Sequence, residues 1–179
     1  MKKQQKKVIF DSVKMLTLAA MLTAMSVVIG ILCKTFLNFG NGLFRITFEN
    51  LPIIMSGIIF GPVVGALVGA ASDLSSYLLS PQILTPNPIV TLGAALIGAV
   101  SGIIAKYVVK KKGITQVILS GGVAHVIGSM IVKSIGLYQY YQMGVLLRIP
   151  LYLIIAPIEI LVLCLLFKNA TFRRLINYY

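Results

Sequence analysis

Long apolar runs, separated by short polar or glycine- and proline-bearing breaks, organise the chain. The first run extends from about Val8 to Cys33 and is followed by a polar, glycine-bearing segment from Lys34 to Gly42. A shorter second run covers about Ile46 to Phe60 and stops at Gly61-Pro62, a pair that marks a tight break. The third continues to about Leu79, and Ser80 to Pro88, with three prolines, reads as a loop. Further runs cover about Ile89–Val109, Ile114–Leu137 and Leu147–Phe167; a three-lysine turn separates the first two, and an aromatic-polar loop, Tyr138 to Gly144, the last two. A membrane-spanning helix needs about 20 predominantly apolar residues. The pattern therefore predicts an all-α integral membrane protein, a bundle of six transmembrane helices forming a single domain over residues 1–179. The short second run predicts a helix that is tilted, partly sheltered by protein, or extended by the segment before it.

Composition supports lipid as the solvent: 58% of residues are hydrophobic and only 11% charged, against about 25% charged in a typical soluble domain. A net charge of +12 would suggest nucleic acid in a soluble protein, but no basic stripe lies beside stacking aromatics, and no nucleic-acid role is expected. The basic residues instead cluster at Lys2, Lys3, Lys6, Lys7 and Lys14, at Lys106 and Lys110 to Lys112, and at Lys168, Arg173 and Arg174. With six spans these clusters share one side, leaving Lys34, Arg45, Lys133 and Arg148 on the other. The positive-inside rule then puts both termini in the cytoplasm. The connections at 61–62 and 110–113 become short inner turns, while 34–45, 80–88 and 138–147 become longer outer loops, which predicts a pocket opening outward. The N-terminus carries no small-residue cleavage site after its apolar stretch and reads as a retained first helix.

Gly57, Gly61, Gly65 and Gly69 recur every four residues, and Gly98 and Gly102 repeat the step. Small residues at this spacing let helices approach closely in lipid, here within the bundle. Three of the four acids, Glu49, Asp73 and Glu159, fall within or at the ends of membrane runs, where ionisable groups are costly and face the interior with a partner. Asp73 shares a helix side with Tyr77 and is either half of an ion pair with Arg45 or Lys133 or a ligand-recognising carboxylate. Arg148, Tyr152 and Glu159 fall near one face of the last helix; Arg148 either anchors that helix at the interface or reaches a ligand carboxylate as a bidentate fork. Lys133 either snorkels to the outer surface or faces a ligand, and His125 is either a hydrogen-bonded packing residue or a ligand contact.

Catalytic patterns are missing. One histidine, no HExxH and no cluster of acids argue against a hydrolase or a lipid-active membrane enzyme. Cys33 and Cys164 lack metal-site spacing, so no metal or cofactor is expected. Gly128 to Ser134 evokes a phosphate loop, but Val132 stands where the glycine before the lysine belongs. The chain is not expected to hydrolyse ATP on its own. A structural scaffold would leave Asp73, Arg148 and Lys133 unexplained as a set.

The stretch Phe44-Arg-Ile-Thr-Phe-Glu49-Asn-Leu-Pro-Ile-Ile54, then Ser56-Gly-Ile-Ile-Phe-Gly-Pro62, Gly65 to Gly69 and Asp73-Leu74, resembles the helix 2–3 region of the S components of energy-coupling factor (ECF) transporters, and within them most closely the folate-specific branch. The resemblance implies a substrate-capturing subunit of a bacterial vitamin importer in the plasma membrane, partnered by a transmembrane coupling protein and two cytoplasmic ATPases. Ala20 and Ala24 match the AxxxA step by which the family's first helix docks on the coupling protein. For folate, Asp73 is the candidate acceptor for the paired N3–H and 2-amino donors of a pterin. The anionic glutamate tail would take Arg148, Arg45 or Lys133, with Glu49 nearby, and Tyr77, Tyr138, Tyr141 and Tyr152 either stack on flat rings or form an interfacial aromatic belt. The positive outer face favours an anion over cationic thiamine, leaving riboflavin or pantothenate as alternatives.

Overall fold

The computed structural model describes the backbone over residues 2–39, 44–79, 87–109 and 113–169. Six helical rods make up nearly all of it. Helix α1 is Lys2–Phe36, α2 Asn50–Phe60 and α3 Pro62–Leu78; α4 is Pro88–Ile103, prolonged by a π-helical turn Ile104–Val108. Helix α5 is a composite of Ile114–Ala124, a π-helical stretch His125–Val132 and a final α-helical part Lys133–Tyr141. A 3-10 segment, Gln142–Leu147, leads into α6, Arg148–Lys168. The expected loop over Tyr138–Gly144 is thus helical, with the break confined to Gln142, whose φ of 46° ends the α-helix in the left-handed region.

Among the described residues, four helices are long and apolar enough to cross a membrane: Val13–Phe36, Pro88–Val108, Ile114–Tyr138 and Pro150–Lys168. The other two rods, α2 and α3, have 11 and 17 residues, so the expected six helices are present, and the expected short second helix is joined by a short third. The reason for the short second helix lies just before α2. Residues 44–45 do not wind into the helix but pair antiparallel with Asn38–Phe39, Asn38 opposite Arg45 and Phe39 opposite Phe44. Ile46 N–H donates to Leu37 O at 3.2 Å and prolongs the pairing by one bond.

A short helix survives in a membrane protein when protein surrounds it, because its end groups then need not face hydrocarbon. Every residue of α2 is buried, and α1, α3, α4, α5 and α6 all pack on it. Its last carbonyls are met from α4, where Lys106 Nζ donates to Phe60 O at 3.1 Å, a cation placed at the negative end of the helix dipole. The same contact brings the Gly61–Pro62 turn and the Lys106 end of α4 to one end of the bundle.

The expected close packing through small residues is intramolecular. A Cβ at Gly57 would strike Ser101 Oγ and Gly98 O, one at Gly65 would lie 2.5 Å from Gly98 O, and one at Gly98 would collide with Gly65 O. Gly69 meets Ala94 O and Gly102 meets Pro62 in the same way. Helices α2, α3 and α4 therefore touch backbone to backbone, a tightness that dispersion rewards when lipid cannot supply a hydrophobic drive. The outer surface is apolar, with Leu16, Leu67, Leu78, Leu92 and Leu161 among its exposed side chains.

Candidate functional site

At the end of the bundle opposite Lys106, polar side chains from several helices converge. A narrow cleft, too tight to admit a water, is lined by Ser26 of α1, Glu49 and Ile53 at the start of α2, Ser72, Asp73 and Ser76 of α3, and Ala94 of α4. Asp73 lies five residues from the end of α3, about 8 Å along the axis at 1.5 Å per residue, so the cleft sits near the end that carries the longer connections. Two of the sequence candidates, Asp73 and Glu49, therefore meet in one cleft from different helices.

The hydrogen bonds show how the cleft is held. Thr91 Oγ1 of α4 donates to Asp73 Oδ2 at 2.7 Å. A carboxylate offers about four acceptor positions, so one bond leaves the Asp73 group most of its capacity. Ser26 Oγ donates to the Glu49 backbone carbonyl at 2.7 Å, tying α1 to the start of α2. Lys34 Nζ donates to Ser76 O at 3.3 Å. Gly30 leaves room for the Glu49 side chain, because a Cβ there would lie 2.9 Å from Glu49 Oε2.

Lys133 does not snorkel outward: it is 5% exposed. Its ammonium lies 3.4 Å from Glu49 Oε1 and donates to Asn50 Oδ1 at 3.1 Å. Gly93 makes this reach possible, since a Cβ there would press on Lys133 Cγ at 2.7 Å. Deeper along α5, His125 Nε2 sits 2.7 Å from Glu159 Oε2 of α6, both side chains fully buried. Ser129 Oγ is 3.4 Å from His125 Nδ1. The π-helical stretch, with its wider i→i+5 turns, carries His125 and Ser129 and ends where Lys133 begins, and it puts all three inside. His125 is thus a partnered packing residue that joins α5 to α6.

The remaining candidates fall elsewhere. Tyr77 is half-buried on α3 and Tyr152 is buried on α6, but neither lines the cleft. Tyr138 is exposed. Arg45 lies in the two-residue pairing and Arg148 opens α6; their side chains, and that of Tyr141, lie outside the described residues, as do the lysine turn at 110–112, most of the Ser80–Pro88 segment and the C-terminal arginines. Ala20 and Ala24 face outward on α1, while Ala19, Leu22, Ser26 and Val27 face inward. Among the described residues, no group of three or more His, Cys, Asp or Glu could hold a metal.

Sequence reasoning missed Asn50, Ser26, Ser72, Ser76 and Thr91. The serines of α3 carried a usable signal, because Ser72 and Ser76 are one turn apart and flank Asp73. Asn50 and Ser72 share a bonding feature with Gln116, Ser120 and the ion-paired His125 and Glu159, a buried polar atom without a hydrogen-bond partner among the described residues. Of these they are the two at or beside the cleft. Both are almost fully buried, and among the described residues Asn50 Nδ2 and Ser72 Oγ have no hydrogen-bond partner. Buried polar atoms left unpaired are uncommon enough to ask for a cause.

A family model described as ECF transporter, substrate-specific component, matches residues 14–175. The folate transporter FolT of Clostridium novyi (strain NT) is 29% identical over 114 residues, 64% of this chain, and the match spans 64% of that relative's length. A crystal structure of FolT bound with folic acid shares the fold with a TM-score of 0.66 and 25% identity, over 83% of this chain and 89% of that one.

Proposed function

The chain belongs to the substrate-specific components of ECF transporters, and on that premise we propose that it captures folate outside the cell and carries it across the membrane as the binding subunit of an ATP-driven importer. The family is one of transport components, not enzymes. The observation that carries the folate reading is the meeting of Asp73 and Glu49 in one serine-lined cleft. A pterin edge offers two adjacent N–H donors, and a buried carboxylate accepts both in a parallel pair, as it would from an arginine fork. The similarity to FolT, including the form bound with folic acid, supports the same ligand. Lys133 is already engaged by Glu49 and Asn50, so the dianionic tail falls to Arg45 and Arg148 at the outer end. The cleft is closed even to a water, whereas small-molecule sites usually enclose about 300–1,000 Å³, so it must open to seat a pterin.

Ligands that bind only the folded state raise the melting temperature, by about 2.7 kcal/mol of added stability at 100 times Kd. In detergent, folic acid should raise it in a saturable way, whereas riboflavin, thiamine and pantothenate should leave it in place. A shift with another vitamin alone would keep the transport role and discard folate.

The coupling protein and the two ATPases belong to this proposal as well. Ala20 and Ala24 provide a shallow outward strip on α1 where a partner helix could approach closely. The clustering of basic residues at the termini and the lysine turn supports a topology with both termini in the cytoplasm of a bacterial cell and the bundle in its plasma membrane. In a background without Cys33 and Cys164, a Thr85→Cys variant should be labelled by a membrane-impermeant thiol reagent in intact cells. A Lys111→Cys variant should react only after permeabilisation; the reverse pattern would invert the topology.

A further inference from the structure

We infer that Asn50 is the residue that reads the acceptor beside the pterin's donor pair, and that Lys133 acts on the ligand only through it, by fixing which way the Asn50 amide faces. The inference deepens the folate reading and rests on it. An ammonium group has donors and no acceptor, so the atom of Asn50 that meets Lys133 Nζ at 3.1 Å must be the carbonyl oxygen Oδ1. The NH2 group is thereby committed to the other side, where Nδ2 has no partner among the described residues although Asn50 is fully buried. A buried donor left in this state is destabilising, a cost that an acceptor on a bound ligand would remove.

Asn50 is placed for this. It does not itself line the cleft, but its neighbours Glu49 and Ile53 do, and Ile53 is three residues on, on the same side of α2. A ligand that opens the cleft therefore reaches Asn50. Asp73 faces the cleft from α3. In a pterin the 2-amino group, N3–H and the C4 carbonyl follow one another along a single edge, reading donor, donor, acceptor. A carboxylate at one end and an amide N–H at the other match that order. The pairing would give the site a chemical specificity that Asp73 alone does not supply: preference for a 4-oxo over a 4-amino pteridine.

The test compares folic acid with its 4-amino analogue, aminopterin, by calorimetry on the full chain in detergent, in wild type and variants. Aminopterin also lacks N3–H, so the wild-type preference includes Asp73; the change in the folic acid to aminopterin ratio on altering Asn50 isolates Asn50 itself. Asn50→Leu is expected to reduce the ratio roughly tenfold. Asn50→Asp, which accepts where asparagine donates, should reduce it further, and Asn50→Ser stands in if the added charge prevents folding. Lys133→Met should also shrink the ratio, because the freed amide can turn Oδ1 toward a 4-amino group. A Lys133 that held the ligand directly by charge would instead weaken both ligands equally. An unchanged ratio in Asn50→Leu, with both affinities lowered together, would overturn the role of Asn50. Failure of the wild type to bind either compound would overturn the folate reading, and this inference with it.

Discussion

His125→Leu is expected to destabilise the chain by about 1–3 kcal/mol, the usual cost of leaving a buried polar group without its partner. Glu159 sits fully buried on α6 with His125 Nε2 at 2.7 Å, in a helix of apolar residues that offers no polar substitute nearby in sequence. Removing the imidazole leaves the carboxyl to bear its desolvation without that partner. At about 2–4 °C per kcal/mol for a chain of this size, the melting temperature in detergent should fall by roughly 2–12 °C. The double variant His125→Leu/Glu159→Leu should regain most of the loss, because exchanging a whole buried pair for well-packed apolar groups is often close to neutral. A double variant as unstable as the single one would mean that the pair's role is shape and packing. A single variant as stable as wild type would mean that the contact between α5 and α6 contributes nothing.

The second large effect is on binding. Asp73→Asn keeps the size of the side chain and its bond from Thr91, yet turns one acceptor oxygen into a donor that faces the pterin's own donors. Truncating one partner of a buried hydrogen-bonded charge pair costs about 2–5 kcal/mol, equivalent to roughly 30- to 5,000-fold in Kd. Folic acid affinity should drop by that factor while the melting temperature of the unbound chain changes little, since Asp73 is only half-buried and Thr91 can still bond the amide. Binding that survives at wild-type strength would place the pterin elsewhere, against α5 and α6 for instance, and leave Asp73 as a tie between α3 and α4.

Much of the architecture could be read from hydropathy because lipid imposes a simple rule, that long apolar helices cross and charges gather at one face. The glycine steps at Gly57, Gly65 and Gly98 also announced close packing, and the structure shows backbone touching backbone there. The helix starts were harder. Ile46 and Phe48 could have opened a helix, and the pairing of residues 44–45 with 38–39 keeps the chain extended before α2 begins at Asn50. The shortness of the second run was visible in hydropathy, but which of tilt, shelter or extension explains it was not, and the fold decides for shelter by burying every residue of α2.

The site was legible by residue type but not by pairing. Asp73, Glu49 and Lys133 stood out because charge in a membrane run is expensive. That Lys133 bridges Glu49 and Asn50, more than 80 residues away in sequence, depends on how α5 crosses α2, and no local pattern encodes it. Likewise His125 and Glu159 were visible separately, and only the fold puts them 2.7 Å apart. Neutral polar residues were the blind spot. Asn50, Ser72 and Ser26 carry no charge to draw notice in a hydrophobic run, and their importance rests on burial and unfilled bonding capacity, which a sequence does not display.

The most direct test is a calorimetric titration of the purified chain, alone in detergent, with folic acid. The expected result is saturable one-to-one binding without the coupling protein or ATPases, since every group assigned to the ligand lies on this chain. A flat titration with folic acid, alongside saturable binding of riboflavin or pantothenate to the same preparation, would contradict the folate assignment.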